Sequence, residues 1–432
     1  MNKTPENGLS VRLRTGPLAK LGPGLITGAA DDDPSGIATY SQAGAQFGFH
    51  LLWTMVLTFP LMVAVQMISA RIGRVTGRGL AANMCKVMPR RLVLGLIALL
   101  FLANTINIGA DLAAMGEAAE LVLGSNSPWV GHGFTVFFAL FSFTLQLLVP
   151  YKRYARFLTV LTFSLLTYAA VLLLLELDWG AIAAGLAGID AALTPAAATV
   201  IVAVFGTTIS PYLFFWQSAQ EVEEIAHDDA QHPLEKAPRE APQALADIRI
   251  DTMAGMFASN AIALAIMIAT AATLHQAGIT RIETAAQAAD ALRPIAGDFA
   301  FLLFALGIIG TGLLAVPVLA GSVAYAVGEI EGWRTGLDNM PWQAKGFYGV
   351  IGAAVLLGIG IDFSPIDPFQ ALYWSAVLNG LIAVPMMAAM MFVAHHRCMG
   401  KFHPGPGLTA LGWLSTAVMA AAALAMLYFT LF

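Results

Sequence analysis

Long apolar runs alternate with short polar stretches along the whole chain. Eleven runs stand out: Leu21–Ala45, Leu51–Ile72, Leu92–Leu123, Trp129–Val149, Phe157–Leu175, Thr199–Ile225, Met253–Leu274, Phe299–Val327, Gly346–Ile361, Phe369–Phe392 and Leu408–Phe432. Runs of this length and apolarity read as bilayer-spanning helices. The pattern therefore predicts an all-α polytopic membrane protein with eleven transmembrane helices. The longest polar stretches are His227–Ile248, a charged loop containing proline, and His275–Asp298, which has amphipathic helical spacing. Both read as connections, and no segment reads as a separate soluble domain.

Composition sharpens this picture. Hydrophobic residues make up 58% of the 432 residues and charged residues 11%, against about 25% charged in soluble domains. A soluble helical core is thereby excluded, and the net charge of −5 gives no basic face for nucleic acid. Cys85 and Cys398 are the two cysteines, without the CxxC spacing of a zinc site. Met1–Lys20 is polar and contains no apolar core of the kind that a cleaved leader requires. Placing the N-terminus inside puts 20 of the 22 lysines and arginines on the cytoplasmic side, all but Arg281 and Arg293. That bias is what the positive-inside rule demands. It leaves the C-terminus extracytoplasmic and both cysteines in the reducing compartment.

Two of the runs carry a break in their middle. The first contains Asp31-Asp32-Asp33-Pro34-Ser35-Gly36. A carboxylate at the bilayer centre costs about 2.5–3.5 kcal/mol on insertion scales, so these acids need a polar cavity. Pro34 removes a backbone donor and Gly36 loosens the helix, which frees carbonyl oxygens beside the carboxylates. Such an oxygen-rich cluster suits a hard cation. The sixth run repeats the device in Thr207-Thr208-Ile209-Ser210-Pro211-Tyr212. Each break falls in the first span of a five-span block. The chain therefore divides into a cytoplasmic tail (1–20), a first repeat of spans one to five (21–175), an extracellular connection (176–198), a second repeat of spans six to ten (199–396), and the eleventh span with its preceding loop (397–432). Paired, interrupted spans in inverted repeats mark a binding site near the membrane midplane. Within the acidic triplet, one or two side chains can instead reach water or cap a half-helix.

These residues resemble the Nramp family of divalent metal transporters. Its first-span signature is matched by Gly22-Pro23-Gly24, Asp33-Pro34-Ser35-Gly36, Gln42-Ala43-Gly44-Ala45-Gln46-Phe47-Gly48 and Leu51-Leu52-Trp53. Its sixth-span motif falls on Thr207 to Phe214, and Asn107-Ile108-Gly109-Ala110-Asp111-Leu112-Ala113 is similar to its third span. The resemblance implies a LeuT-like 5+5 inverted repeat with helices 1 and 6 broken mid-membrane. It also implies a plasma-membrane location, the inner membrane of a bacterium. By the resemblance, the metal positions are Asp33, Asp32, Gly36, Thr207 and Ser210, with Asp31, Thr208, Tyr212, Ala376 and Asn379 around the cavity. The departures are instructive. Gly36 stands where the family has an asparagine ligand, Ser210 where it has a methionine, and Ala376 where it has a glutamine, with Asn379 a turn further on. Thr207 replaces the family's carbonyl-donating alanine. Loss of the thioether shifts preference from softer transition metals toward magnesium and manganese. This pattern is similar to the Nramp-related magnesium transporters, so the expected cargo is Mg²⁺ or Mn²⁺, moved by alternating access.

For protons, the family uses acids and histidines in spans three and six. Asp111 is kept, but Ala114, Tyr212 and Gln217 occupy the other positions, and Glu117 lies on a different helical face. Weak or absent proton coupling is expected, with Asp111 and Glu117 as the candidate pathway. The eight histidines lie at span ends or in loops without metal-enzyme spacing, and there is no phosphate-binding loop. Neither an enzyme nor an ATP-driven pump is expected, and no cofactor beyond the transported cation. Glu221, Glu223 and Glu224 read as a solvated helix end, with a metal exit vestibule as the rival reading. Asp190, Asp362 and Asp367 fall in external loops, where they could draw in cations. The competing functions are a proton-coupled Mn²⁺/Fe²⁺ symporter and a sodium-coupled carrier of a small solute. Mid-span acids disfavour an anionic solute. The expected partners are the cation and the lipid bilayer, with the chain acting as a monomer.

Overall fold

A computed structural model describes residues 23–125, 127–149, 163–188, 194–227, 231–337 and 339–431. The tail, the start of the fifth run, the basic residues at 152, 153 and 156, and Asp190 lie outside the described residues. Among the described residues the chain is helical, with no strand.

The first run forms two helices, α1 (Pro23–Asp31) and α2 (Pro34–Phe47). Next come α3 (Trp53–Thr76), a short α4 (Leu80–Val87), α5 (Arg90–Leu123) and α6 (Pro128–Leu148). The described part of the fifth run holds α7 (Leu166–Val171), and the connection after it holds α8 (Trp179–Ala187). The sixth run is again two helices, α9 (Pro195–Thr208) and α10 (Pro211–His227). The rest are α11 (Ala241–Thr270, closed by a π turn at Ala271–His275), α12 (Ala300–Glu331), α13 (Lys345–Asp362), α14 (Pro368–His395) and α15 (Pro406–Leu431). Nine helical stretches among the described residues are long and apolar enough to cross a membrane. The broken first run and the partly described fifth run are the two predicted spans outside that set.

Both breaks have the same cause. A proline has no N–H and its ring crowds the carbonyl four residues back. Pro34 thus releases the Ala30 carbonyl, and Pro211 releases the Thr207 carbonyl. Each proline then opens the next helix, where its missing donor costs nothing. Asp33 is the N-cap of α2, its side chain accepting from the Gly36 N–H, as N-caps do.

Elsewhere the helices extend beyond the apolar runs. The expected loop ending at Ile248 is helical from Ala241 onward, because charged residues at a membrane boundary end hydropathy without ending a helix. The amphipathic stretch His275–Asp298 becomes short helical turns, including Ala285–Ala289 and Arg293–Ala296.

Polarity is arranged inside out. Leu94, Leu99, Leu102, Phe137 and Leu140 are exposed, whereas Asp31, Asp33, Asn107, Asp111 and Gln217 are buried. That is the distribution expected when lipid surrounds the outer surface and polar residues face the bundle. Small residues bring the broken helices close to their neighbours, as in membrane helix packing. A β-carbon on Gly28 would lie 2.4 Å from the Gly255 carbonyl oxygen of α11. One on Gly206 of α9 would lie 2.1 Å from the Ala376 carbonyl oxygen of α14. Gly206→Ala therefore forces two backbones apart, an overpacking cost of about 1–3 kcal/mol. It is expected to lower the melting temperature of the detergent-solubilised protein, whereas Gly349→Ala, which meets nothing within 4 Å, leaves it near the original value.

Candidate metal site

The site is built where the two breaks face each other. Asp33 is fully buried and its carboxylate is held from three directions. Oδ1 accepts from the Ser35 hydroxyl at 2.6 Å and the Gly36 N–H at 2.7 Å, both in α2. Oδ2 accepts from Asn107 Nδ2 of α5 at 3.1 Å and the Tyr212 hydroxyl of α10 at 3.1 Å. Asn107 is oriented in turn by Ser375 of α14, whose hydroxyl donates to Asn107 Oδ1 at 2.5 Å. Tyr212 also reaches the freed Ala30 carbonyl at 3.4 Å. The ion pairs among the described residues, such as Arg90–Glu331 and His132–Asp362, do not include Asp33. Its hydrogen-bond partners are thus neutral donors, with no basic side chain paired to it among the described residues.

The sixth-span residues meet this carboxylate through hydroxyls. Thr207 Oγ1 lies 3.5 Å from Ser35 Oγ, and a β-carbon on Gly36 would sit 3.2 Å from Thr207 Oγ1. Glycine at 36 therefore keeps the two breaks in contact. Ser210 turns back onto its own span, donating to the carbonyls of Gly206 at 2.7 Å and Thr207 at 2.9 Å. The Thr207 carbonyl is thus free of its helix but shared with Ser210. Thr208 pairs with Tyr40 of α2 at 3.2 Å.

The acidic triplet does not converge on one point. Asp31 Oδ2 and Asp32 Oδ1 both lie against the Ser259 hydroxyl of α11, at 2.6 and 2.9 Å. Asp32, expected beside Asp33 as a ligand, faces the seventh span instead, where it shares the Ser259 hydroxyl with Asp31. Among the described residues no group of three or more His, Cys, Asp or Glu side chains is arranged to hold a metal ion. The oxygens near Asp33 are hydroxyls and carbonyls.

Other expected positions are more scattered. Asp111 is buried with neither carboxylate oxygen hydrogen-bonded, as is the whole Asn379 amide. Ala376 contributes its backbone to the α9–α14 contact. Glu117 accepts from the Ala285 N–H at 3.3 Å, and its other oxygen is buried without a partner. Glu221 corrects the expectation of a solvated end. It is 3% exposed and accepts from Gln217 Nε2 at 3.4 Å, while Gln217 accepts from Thr27 at 2.6 Å. Packing of α10 against α1 and α3 buries that turn. A cavity of about 420 Å³ opens where α2 ends and α14 begins, lined by Gln42, Gln46, Thr280, Arg281, Phe369, Gln370, Tyr373 and Trp374. Asp367, the cap of α14 beside it, is raised by burial above the usual carboxylate range, against two backbone N–H bonds that lower it. Sequence reading missed Ser259 and Ser375 as partners of the site. A serine next to Asn260 within an apolar run was the available signal for the first.

Residues 24–429 match the family described as natural resistance-associated macrophage protein-like, Nramp. The chain belongs to the Nramp family. It is therefore a membrane transporter and not an enzyme. The divalent metal cation transporter MntH of Aeromonas hydrophila is 27% identical over 417 residues, covering 93% of each chain. Among solved structures, the Eremococcus coleocola manganese transporter superposes with a TM-score of 0.71 at 18% identity, over 98% of this chain and 88% of that one. Mhp1, a nucleobase-cation-symport-1 family transporter, superposes at 0.56 and 13% identity, over 95% and 91%. The fold is thus the LeuT-like one, and the two broken spans occupy its centre in this Nramp chain. The Asp33–Asn107–Ser375 relay makes a stability prediction. Asn107→Ala strips a donor from a buried carboxylate and should cost about 1–3 kcal/mol, read as a lowered melting temperature. Ser375→Ala should cost less, since it leaves the Asn107 bond to Asp33 in place.

Proposed function

We propose that this Nramp chain carries divalent cations, Mg²⁺ and Mn²⁺, through the bilayer by alternating access, with weak or no proton coupling. The observation that carries the reading is Asp33: a buried carboxylate without a cationic partner, at a helix break that faces a second break. Hard cations favour carboxylate, hydroxyl, carbonyl and water oxygens, and the oxygens around Asp33 are of those kinds. The names of the relatives point to divalent metal and to manganese as their cargo.

The residues divide the work by their chemistry. The Gly36 N–H and Asn107 amide can only donate through the atoms that touch Asp33, so they keep the carboxylate oriented. Ser35, Thr207 and Tyr212 carry hydroxyls, which rotate from donor to acceptor. On arrival of a cation these three turn their lone pairs toward it or toward its water shell. With one carboxylate and no thioether, the ion retains part of its hydration, as magnesium prefers. Thr207 and Ser210 present main-chain and hydroxyl oxygens from the sixth span. The N-terminus is cytoplasmic in this reading, so the cavity beside Gln42 and Gln370 lies on the outer side.

Asp33→Ala in proteoliposomes is expected to abolish Mg²⁺ and Mn²⁺ uptake, measured against the unmodified protein. Uptake that persists at the original rate would move the site elsewhere. A second reading, proton-coupled manganese symport, is favoured by Asp111, a buried acid whose oxygens have no hydrogen-bond partner. An internal pH dye separates the two. Metal entry without acidification is expected, and acidification in step with metal entry would establish coupling.

A further inference from the structure

Three consecutive aspartates at one helix break could close on a single ion. In this chain they do not, and the reason lies on another helix. Ser259 of α11 is 2% exposed and places its hydroxyl 2.6 Å from Asp31 Oδ2 and 2.9 Å from Asp32 Oδ1. Among the described residues it is the one hydrogen-bond partner of either side chain, its single proton shared between the two carboxyl oxygens, and Asp31 Oδ1 is buried without a partner. The orientation of both carboxylates therefore depends on this hydroxyl. The hydroxyl is itself firmly placed. One turn earlier on α11, Gly255 lies so close to α1 that a β-carbon there would be 2.2 Å from the Gly24 carbonyl oxygen. A turn further back on α11, Asp251 accepts from the N–H of the same Gly24 at 2.5 Å. Helix α11 thus holds α1 at Gly24 and Gly28, and Ser259 is the contact at the break.

We propose that Ser259 is a positioning residue for transport, holding Asp31 and Asp32 against the seventh span so that Asp33 alone faces the sixth-span break. This rests on the reading of Asp33 as the cation station. The charge count of an oxygen site sets how tightly it binds a divalent ion, and conduction needs binding weak enough to permit release. One facing carboxylate gives a station that binds a partly hydrated ion and lets it go. Three would give a chelate that holds a dehydrated ion. Ser259 thereby tunes affinity against turnover without touching the ion.

The test is Mn²⁺ uptake by the full chain in proteoliposomes, with KM and maximal rate measured separately. Ser259→Ala removes the tether, and the freedom of Asp31 and Asp32 to turn toward Asp33 should lower KM at least about threefold, with a fall in maximal rate. Ser259→Thr keeps the hydroxyl and should restore both values. A purely structural serine would lower the rate alone. An unchanged KM in Ser259→Ala, with Asp33→Ala inactive, would overturn the role of Ser259 while leaving the station intact. Full uptake by Asp33→Ala would instead remove the station on which it rests. If Ser259→Ala does not elute as a monodisperse species, Ser259→Cys, close in size with a weaker donor, carries the test under the same criteria.

Discussion

An anionic carboxylate buried among apolar helices, with neutral donors in place of a counter-ion, is the constraint on which this structure turns. Asp33 survives inside the bundle because α2, α5 and α10 each bring a donor to it. Those donors satisfy hydrogen bonding but leave the charge in place, and a buried charge is costly unless paired. In the proposed function this arrangement attracts a cation, and the lack of a basic partner among the described residues keeps the position available to a mobile one. Packing of the bundle follows from the same requirement. Glycines at 24, 28, 206, 255 and 380 let backbones approach, which is how side chains from distant parts of the chain come within reach of one oxygen pair.

The prolines translate that constraint into geometry. Pro34 and Pro211 each free one carbonyl and start a new helix, so that polar backbone appears at mid-membrane only where it is buried in protein. The two freed oxygens have different fates. That of Ala30 lies 3.4 Å from the Tyr212 hydroxyl, whose nearer acceptor is Asp33, and that of Thr207 accepts from Ser210. Both partners are hydroxyls and can be given up by rotation, without unfolding a turn. In the proposed function, cation entry is therefore a local exchange of hydrogen bonds, while Gly36 and Asn107 hold the carboxylate still.

Much of this was legible in the sequence, for identifiable reasons. The breaks were readable because proline acts locally, and the burial of Asp33 because an acid in an apolar run must be shielded from lipid. The option that a member of the triplet caps a half-helix was also readable, and Asp33 does cap α2. What escaped were relations between residues far apart. Ser259 meets Asp31 from 228 positions away and Ser375 meets Asn107 from 268; neither serine carries a local mark of that partnership. The burial of Glu221 escaped for the same reason, since a glutamate near a helix end looks solvated until the neighbouring helices are placed. Hydropathy likewise lost the start of α11, where charged residues occupy a helix that continues past the apolar boundary.

The central claim is that a divalent ion rests between the two breaks, on Asp33 and not on its neighbours. The most direct measurement is an anomalous difference map from crystals of the full chain grown with Mn²⁺. The account predicts one strong peak between Asp33 and the Thr207–Ser210 turn. A peak seated on Asp31, Asp32 and Ser259, with none at Asp33, would contradict it.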